Sequence, residues 1–118
     1  MYRKHSIGKI GEILAANYLL KNKYDIIERN FMCRQGEIDI IAKEADEYVF
    51  VEVKTRTNQL YGNPVDAVND LKIKHIYKSI EYYIYKNEIE NENIRIDVIQ
   101  VYLKGKKAHI NHIKNAIF

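Results

Sequence analysis

Two short segments, EIDIIA at residues 37–42 and YVFVEVKT at residues 48–55, alternate so strictly that they leave the chain little choice of local structure. A period of two is the signature of a β-strand, and so few residues separate the segments that they read as an antiparallel hairpin. Ile38, Ile40 and Ala42 face one way with Val49, Val51 and Val53, while Glu37, Asp39 and Ile41 share the other face with Phe50, Glu52 and Lys54. One face is apolar and the other holds every charge. If Ala45 and Asp46 form a two-residue loop, Asp39 lies directly across from Glu52 and Glu37 across from Lys54, with paired Cβ atoms ~4.5–5.5 Å apart. The loop has no Asn-Gly or Asp-Gly dipeptide to fix that register, so a one-residue slip, which would move Asp39 off the face, stays open.

Around the hairpin the pattern gives an α-β-β-β-α-β order, an α/β class with a mixed central sheet flanked by helices. Ser6 is the candidate cap of a first helix ending near Asn22, with Ile10, Ile13, Leu14 and Leu20 at near-helical spacing and Glu12 early in its course. Residues 24–31 read as a strand, and the hairpin strands as 38–43 and 48–55. After polar breaks at 58–59 and 62–64, the latter holding the single proline, a long helix spans about 65–86. Its inward stripe is Ile73, Ile76, Tyr77, Ile80 and Ile84, and its other side carries Lys72, Lys74 and Lys78. Residues 87–93 form a turn, 95–103 a strand and 108–113 a short final one.

The 118 residues match the size of one domain with one core, 1–118, and 47% hydrophobic with 30% charged residues excludes disordered and fibrous classes. No apolar run approaches the ~20 residues of a membrane span and the start lacks the apolar stretch of a signal peptide, so a cytoplasmic protein without a membrane partner is expected. The lone Cys33 has no partner for an intramolecular disulfide or a zinc knuckle, and it reads as structural. A net charge of +3 permits a polyanionic partner, but lysine and arginine never run beyond two together. Nucleic-acid binding therefore requires a shaped surface and not a basic tail.

Two carboxylates as close as Asp39 and Glu52 repel unless a cation or a proton lies between them. Hard oxygen ligands at that spacing suit Mg²⁺ or Mn²⁺, which keep waters and accept phosphate oxygens. Lys54, on the same face, can reach the same volume, where an ammonium positions a water or offsets charge on a phosphorane-like transition state. The plain alternative is a solvated sheet face with cross-strand ion pairs. Ile41 and Phe50 on that face speak against it, because bulky apolar residues call for cover.

Asp39 followed thirteen positions later by Glu52-Val53-Lys54, in this order of elements, resembles the PD-(D/E)XK superfamily of nucleases, which includes many restriction enzymes and Holliday-junction resolvases. More closely, GEILAANYL, RQGEIDIIA, VFVEVKTR, GNPVDAV and RIDVIQV resemble in order the YraN family of small bacterial proteins, from about residue 8 to residue 101. The resemblance implies a restriction endonuclease-like core, with Asp39 and Glu52 as metal ligands, the Val53 backbone carbonyl beside them and Lys54 as the catalytic lysine. In resolvase-like members a glutamate of the first helix completes the site, and Glu12 matches it. Ile38 stands where the superfamily's name has proline. The implied activity is Mg²⁺- or Mn²⁺-dependent phosphodiester hydrolysis, on DNA in preference to RNA and with branched or single-stranded DNA as candidates. Resolvase-like relatives act as dimers, which leaves a homodimer open.

Lys72, Lys74, Arg34 and Arg56, with Gln59, are candidate phosphate contacts, although each alone could be solvated surface. Lys72 leads, because the resembling family has a lysine at this point of the helix. His109 and His112 lie three apart on a strand and so face opposite ways, against a metal pair. The ten tyrosines read as packing residues, and Asp97, among apolar neighbours, as either an outward polar position or a support for the site. A different class of function, a nucleic-acid- or partner-binding module that keeps the fold with weak or no catalysis, competes with the nuclease.

Overall fold

The computed structural model describes residues 4–57 and 70–116. In chain order these form α1 (Lys4–Lys21), β1 (Asp25–Cys33), β2 (Gly36–Glu44), β3 (Glu47–Arg56), α2 (Asp70–Lys86), β4 (Asn93–Lys104) and β5 (Lys107–Ile113). Among the described residues the strands make one mixed sheet in the order β1-β2-β3-β4-β5. Sequential neighbours pair antiparallel except β3 and β4, which run parallel because the chain crosses back through α2 between them. The expected mixed sheet flanked by helices is therefore observed. Among the described residues no helix is long and apolar enough to cross a membrane.

The hairpin has the expected register: Ile40 pairs with Val51, Ile41 with Phe50 and Ala42 with Val49, closing at Glu44 and Glu47 around Ala45 and Asp46. Without glycine in the loop, Ala45 itself takes the left-handed conformation, φ 54°. Each sheet face is covered by one helix. Ala15, Ala16 and Leu19 of α1 pack on Ile40, Ala42, Val49, Val51, Ile99 and Val101. Ile76, Ile80 and Tyr83 of α2 pack on Ile38, Ile41, Phe50, Ile96 and Val98.

Three expectations need correction. The first helix begins at Lys4, so Ser6 lies within it and does not cap it. That helix does not bury the stripe of large residues: Ile13 and Leu20 are exposed, and Gly11, Ala15, Ala16 and Leu19 face the sheet. The reason is close approach, since a Cβ on Gly11 would lie 1.8 Å from Thr55 Oγ1, where only a small-residue face fits. Ile38 belongs to the α2 side with Ile41 and Phe50, not to the face of Ile40 and Ala42, because the regular alternation breaks next to Asp39. Residues 58–69, with Gln59, Pro64 and the expected first turns of the long helix, lie outside the described residues.

Candidate active site

The break at Asp39 is where the site begins. The ladder between β2 and β3 runs from the turn to Ile40 and Val51 and ends there, while β2 stays paired with β1 as far as Gly36 and β3 with β4 as far as Arg56. Held by their outer neighbours, the two strands fork. Just beyond the fork the Val53 N–H donates to Asp39 Oδ2 at 2.7 Å, a side chain standing in for the missing strand partner.

Asp39 and Glu52 are both buried in this fork, 6% and 8% exposed. Burial first, and then hydrogen-bond contact with the Glu52 carboxyl and its charge, pushes Asp39 up to about 9, against the opposing Val53 N–H. Two carboxyl groups in contact share a proton when nothing else lies between them. Glu12 reaches the same charges from α1, its carboxyl raised by burial and by Glu37 and Glu52, although Arg29 and Lys9 oppose.

Two lysines complete the cluster. Burial, and then the Lys72 amine beside it, lowers Lys54 from the ordinary lysine value in spite of Glu52 and Asp39. Burial also pulls on Lys72, but its hydrogen bond with Lys54 and the charge of Glu52 outweigh it and hold Lys72 above the ordinary value. Lys72 Nζ lies 3.4 Å from Glu52 Oε2. Of the two amines, Lys54 is thus the one that gives up its proton more readily and Lys72 the one that holds it.

Two open hollows lead into the cluster. One, of about 730 Å³, is lined by Gly8 and Glu12 of α1 and by Val53, Lys54, Thr55 and Arg56 of β3. The other, of about 460 Å³, lies on the α2 side between the Arg34–Gln35 turn, Glu37 and Glu52, and Leu71, Lys72 and His75. Glu12, Asp39, Glu52 and Lys54 are therefore brought together, Arg56 and Arg34 fall one in each hollow, and Lys74 is exposed on α2 and lines neither. Lys72 was expected on a cationic outer side of its helix, and instead it turns in to Glu52. Glu37 is exposed at the margin and is not paired with Lys54 in the ladder, because the strands have already forked.

As a receptor for a metal, the donor set is oxygen-rich and incomplete. Among the described residues no group of three or more His, Cys, Asp or Glu forms a cage by itself. A touching Asp–Glu pair fits Mg²⁺ or Mn²⁺, which are commonly held by one or two carboxylates and fill their remaining positions with water and phosphate oxygens.

On the α1 side of the sheet, from the level of Val51 towards the β2–β3 turn, lies a second buried cluster that the sequence did not reveal. Asp97 is fully buried and accepts from Arg95 Nε at 2.9 Å, from Arg95 Nη2 at 3.0 Å and from the Asn115 N–H at 3.0 Å. His112 Nε2 lies 2.7 Å from Asp97 Oδ2, and Tyr18 Oη lies 3.0 Å from His112 Nδ1. Arg95 also donates to Tyr24 Oη at 2.7 Å and to Glu44 and Glu47 at 2.9 and 3.3 Å. Arg95 and Asp97 stand two apart on one face of β4, but their partners come from α1, the α1–β1 link, β2, β3, β5 and Asn115 beyond it.

A model of the uncharacterised protein family UPF0102 matches residues 11–101. A UPF0102 protein of Clostridioides difficile (strain 630) is 50% identical over 109 residues, covering 92% of this chain and 94% of its own. One of Clostridium botulinum (strain 657) is 47% identical over 118 residues, 98% and 96% of the two chains, and one of Geobacter metallireducens is 45% identical over 111 residues, 94% and 91%. Among solved structures, that of SSO0001 is similar at 16% identity over 93% of this chain and 50% of the other, with a TM-score of 0.35, too slight a likeness to carry an argument.

Proposed function

We propose, for a chain that belongs to the uncharacterised protein family UPF0102, a divalent-metal-dependent nuclease of PD-(D/E)XK type that hydrolyses phosphodiester bonds in DNA. The observation that carries this reading is the pair of buried carboxyl groups touching in the β2–β3 fork, with a lysine of lowered pKa beside them. Burying two like charges in contact costs stability unless the pair is used.

Asp39 and Glu52 would hold Mg²⁺ or Mn²⁺, with the Val53 carbonyl and Glu12 as further donors. When bound, such an ion supplies Lewis acidity and positive charge at the phosphate. Lys54, the amine whose pKa is lowered, would take up the proton of the attacking water in its free-base form, and the Lys72 ammonium beside it offsets charge on the phosphoryl oxygens. The Val53 N–H keeps the Asp39 carboxylate oriented. The choice of DNA over RNA rests on the resemblance to restriction enzymes and resolvases.

The test is a panel of labelled junction, flap, single-stranded and duplex DNA, with an RNA arm, incubated with Mg²⁺ or Mn²⁺. The native protein is expected to cut at least one DNA substrate. Asp39→Ala should abolish cutting, and Lys54→Ala should slow it by on the order of 10²–10⁴-fold while leaving affinity nearly intact. Binding without cutting on every substrate would replace the nuclease with a nucleic-acid-binding module on the same fold.

A further inference from the structure

The two hollows that meet at the carboxylate pair are chemically unlike. The larger offers the hydroxyls of Thr55 and Thr57 and the cationic groups of Lys54 and Arg56, beside Gly8, whose Cα has no heavy atom close to where a Cβ would stand. That is a lining for phosphates. The smaller has an apolar wall of Leu71 and Ile76, an imidazole at His75 and an amide at Gln35, with Arg34 and Lys72 at its margins. Leu71 is 64% exposed, although it is a leucine on a helix with a core to pack against. Gln35 Oε1 is buried without a hydrogen-bond partner among the described residues, so the amide must rotate before its oxygen can meet an occupant of the hollow. An acceptor left in that state costs on the order of 1–3 kcal/mol.

The Gln35 turn is firmly seated on α2. His75 Nδ1 lies 3.0 Å from the Gln35 carbonyl, which can only accept, so the ring nitrogen carries the hydrogen. Gly36 follows at φ 151°, and a Cβ there would stand 3.0 Å from Ser79 Oγ, itself bonded to the His75 carbonyl at 2.8 Å. Only glycine lets the turn lie this close to the helix. Glu52 and Lys72 belong both to this hollow and to the acid–lysine cluster, so whatever fills it lies next to the reacting phosphate.

We propose, resting on the nuclease reading above, that the smaller hollow seats one unpaired nucleotide beside the scissile phosphate and that Gln35 reads its base. A wall for the face of a base, an amide for its edge and cations for its phosphate are what a single nucleotide requires. A base inside a duplex has its faces stacked and much of its edge engaged, so the seat selects DNA that is single-stranded at the cut. A glutamine amide matches the paired donor and acceptor of adenine, which makes adenine the preferred occupant.

The test is cleavage by the full chain with Mn²⁺ of single-stranded and flap oligonucleotides in which one abasic nucleotide is walked across the cut. At one flanking position the abasic residue should raise KM roughly 10-fold with little change in kcat, and adenine should be favoured over thymine there. Gln35→Leu should erase the base preference while still cutting, and Leu71→Ala should blunt the abasic effect. A flat abasic walk, or an unchanged preference in Gln35→Leu, overturns the seat and leaves the nuclease reading standing as long as native protein cuts and Asp39→Ala does not. If no substrate is cut, the nuclease reading fails, and the seat is then read by fluorescence anisotropy with labelled oligo-dA and oligo-dT. A preference for oligo-dA that Gln35→Leu removes supports it, and equal binding overturns it.

Discussion

Asp39 and Asp97 are both buried aspartates on interior strands of one sheet, and their surroundings push them in opposite directions. Burial raises Asp97 too, but the His112 ring, the Arg95 guanidinium and the Asn115 N–H outweigh it and hold its carboxyl below the ordinary aspartate value. Asp39 has one N–H donor and another carboxyl group, and it is pushed up to about 9. A buried acid ringed by donors is part of the framework. A buried acid set against another acid is unfinished without a cation, and that difference separates the part of the molecule that holds the fold from the part proposed above as the site.

The largest effect should come from breaking the finished cluster. Asp97→Ala leaves the Arg95 guanidinium buried without its main counter-charge, and urea unfolding should show a loss of about 3–5 kcal/mol. A loss under about 1 kcal/mol would mean that the two regions are not distinct in kind.

Metal should finish the unfinished one. At a hundredfold excess over its Kd, Mg²⁺ or Mn²⁺ should stabilise the native protein by about 2.7 kcal/mol, read as a rise in Tm, because only the folded state presents the pair. Glu52→Gln should lose that rise, and if it keeps it the ion binds elsewhere.

The smallest effect is a substitution that improves stability. Asp39 has its folded pKa raised, so its contribution to stability is fully present below the ordinary value of 3.8 and is lost as pH rises through about 9. In chelator, native stability should therefore fall relative to Asp39→Asn across that window. At pH 8 the variant should be the more stable, and near pH 3.5 the two should converge. A variant less stable than native at pH 8 would show that Asp39 is architectural after all.

Much of this contrast is written in the chain, unevenly. Asp39, Glu52 and Lys54 were legible because a strand repeats every two residues and a two-residue loop fixes what stands opposite. The fork was not, since Ile38 obeys the same alternation as Ile40 and yet packs on the other side. Glu12 could be named only from a resemblance, because no periodicity states where a helix residue meets a sheet edge. Lys72 was found as a basic residue, but its turn towards Glu52 depends on how α2 is rotated on the sheet. Gly11, Ala15 and Ala16 were passed over in favour of larger neighbours, although small residues at a spacing of four signal close helix–sheet approach. Asp97 read as undecided because β4 is buried on both faces, where a charge needs partners, and of these Arg95 is two residues away but His112 and Asn115 come from later in the chain.

The Arg95 side chain also bears on when the molecule becomes competent. At the hairpin end Glu44 stands directly opposite Glu47, a pairing that repels, around a loop with no glycine. A single Arg95 nitrogen spans both glutamates from 51 and 48 positions away in the chain. On a ribosome the hairpin emerges well before β4, with its two glutamates opposed and unbridged. Arg95, which bridges the two glutamates at the closed end of the hairpin, is made only after Lys72. A nascent chain halted before residue 95 should therefore show weaker protection of the hairpin amides in pulsed hydrogen exchange than one that includes it.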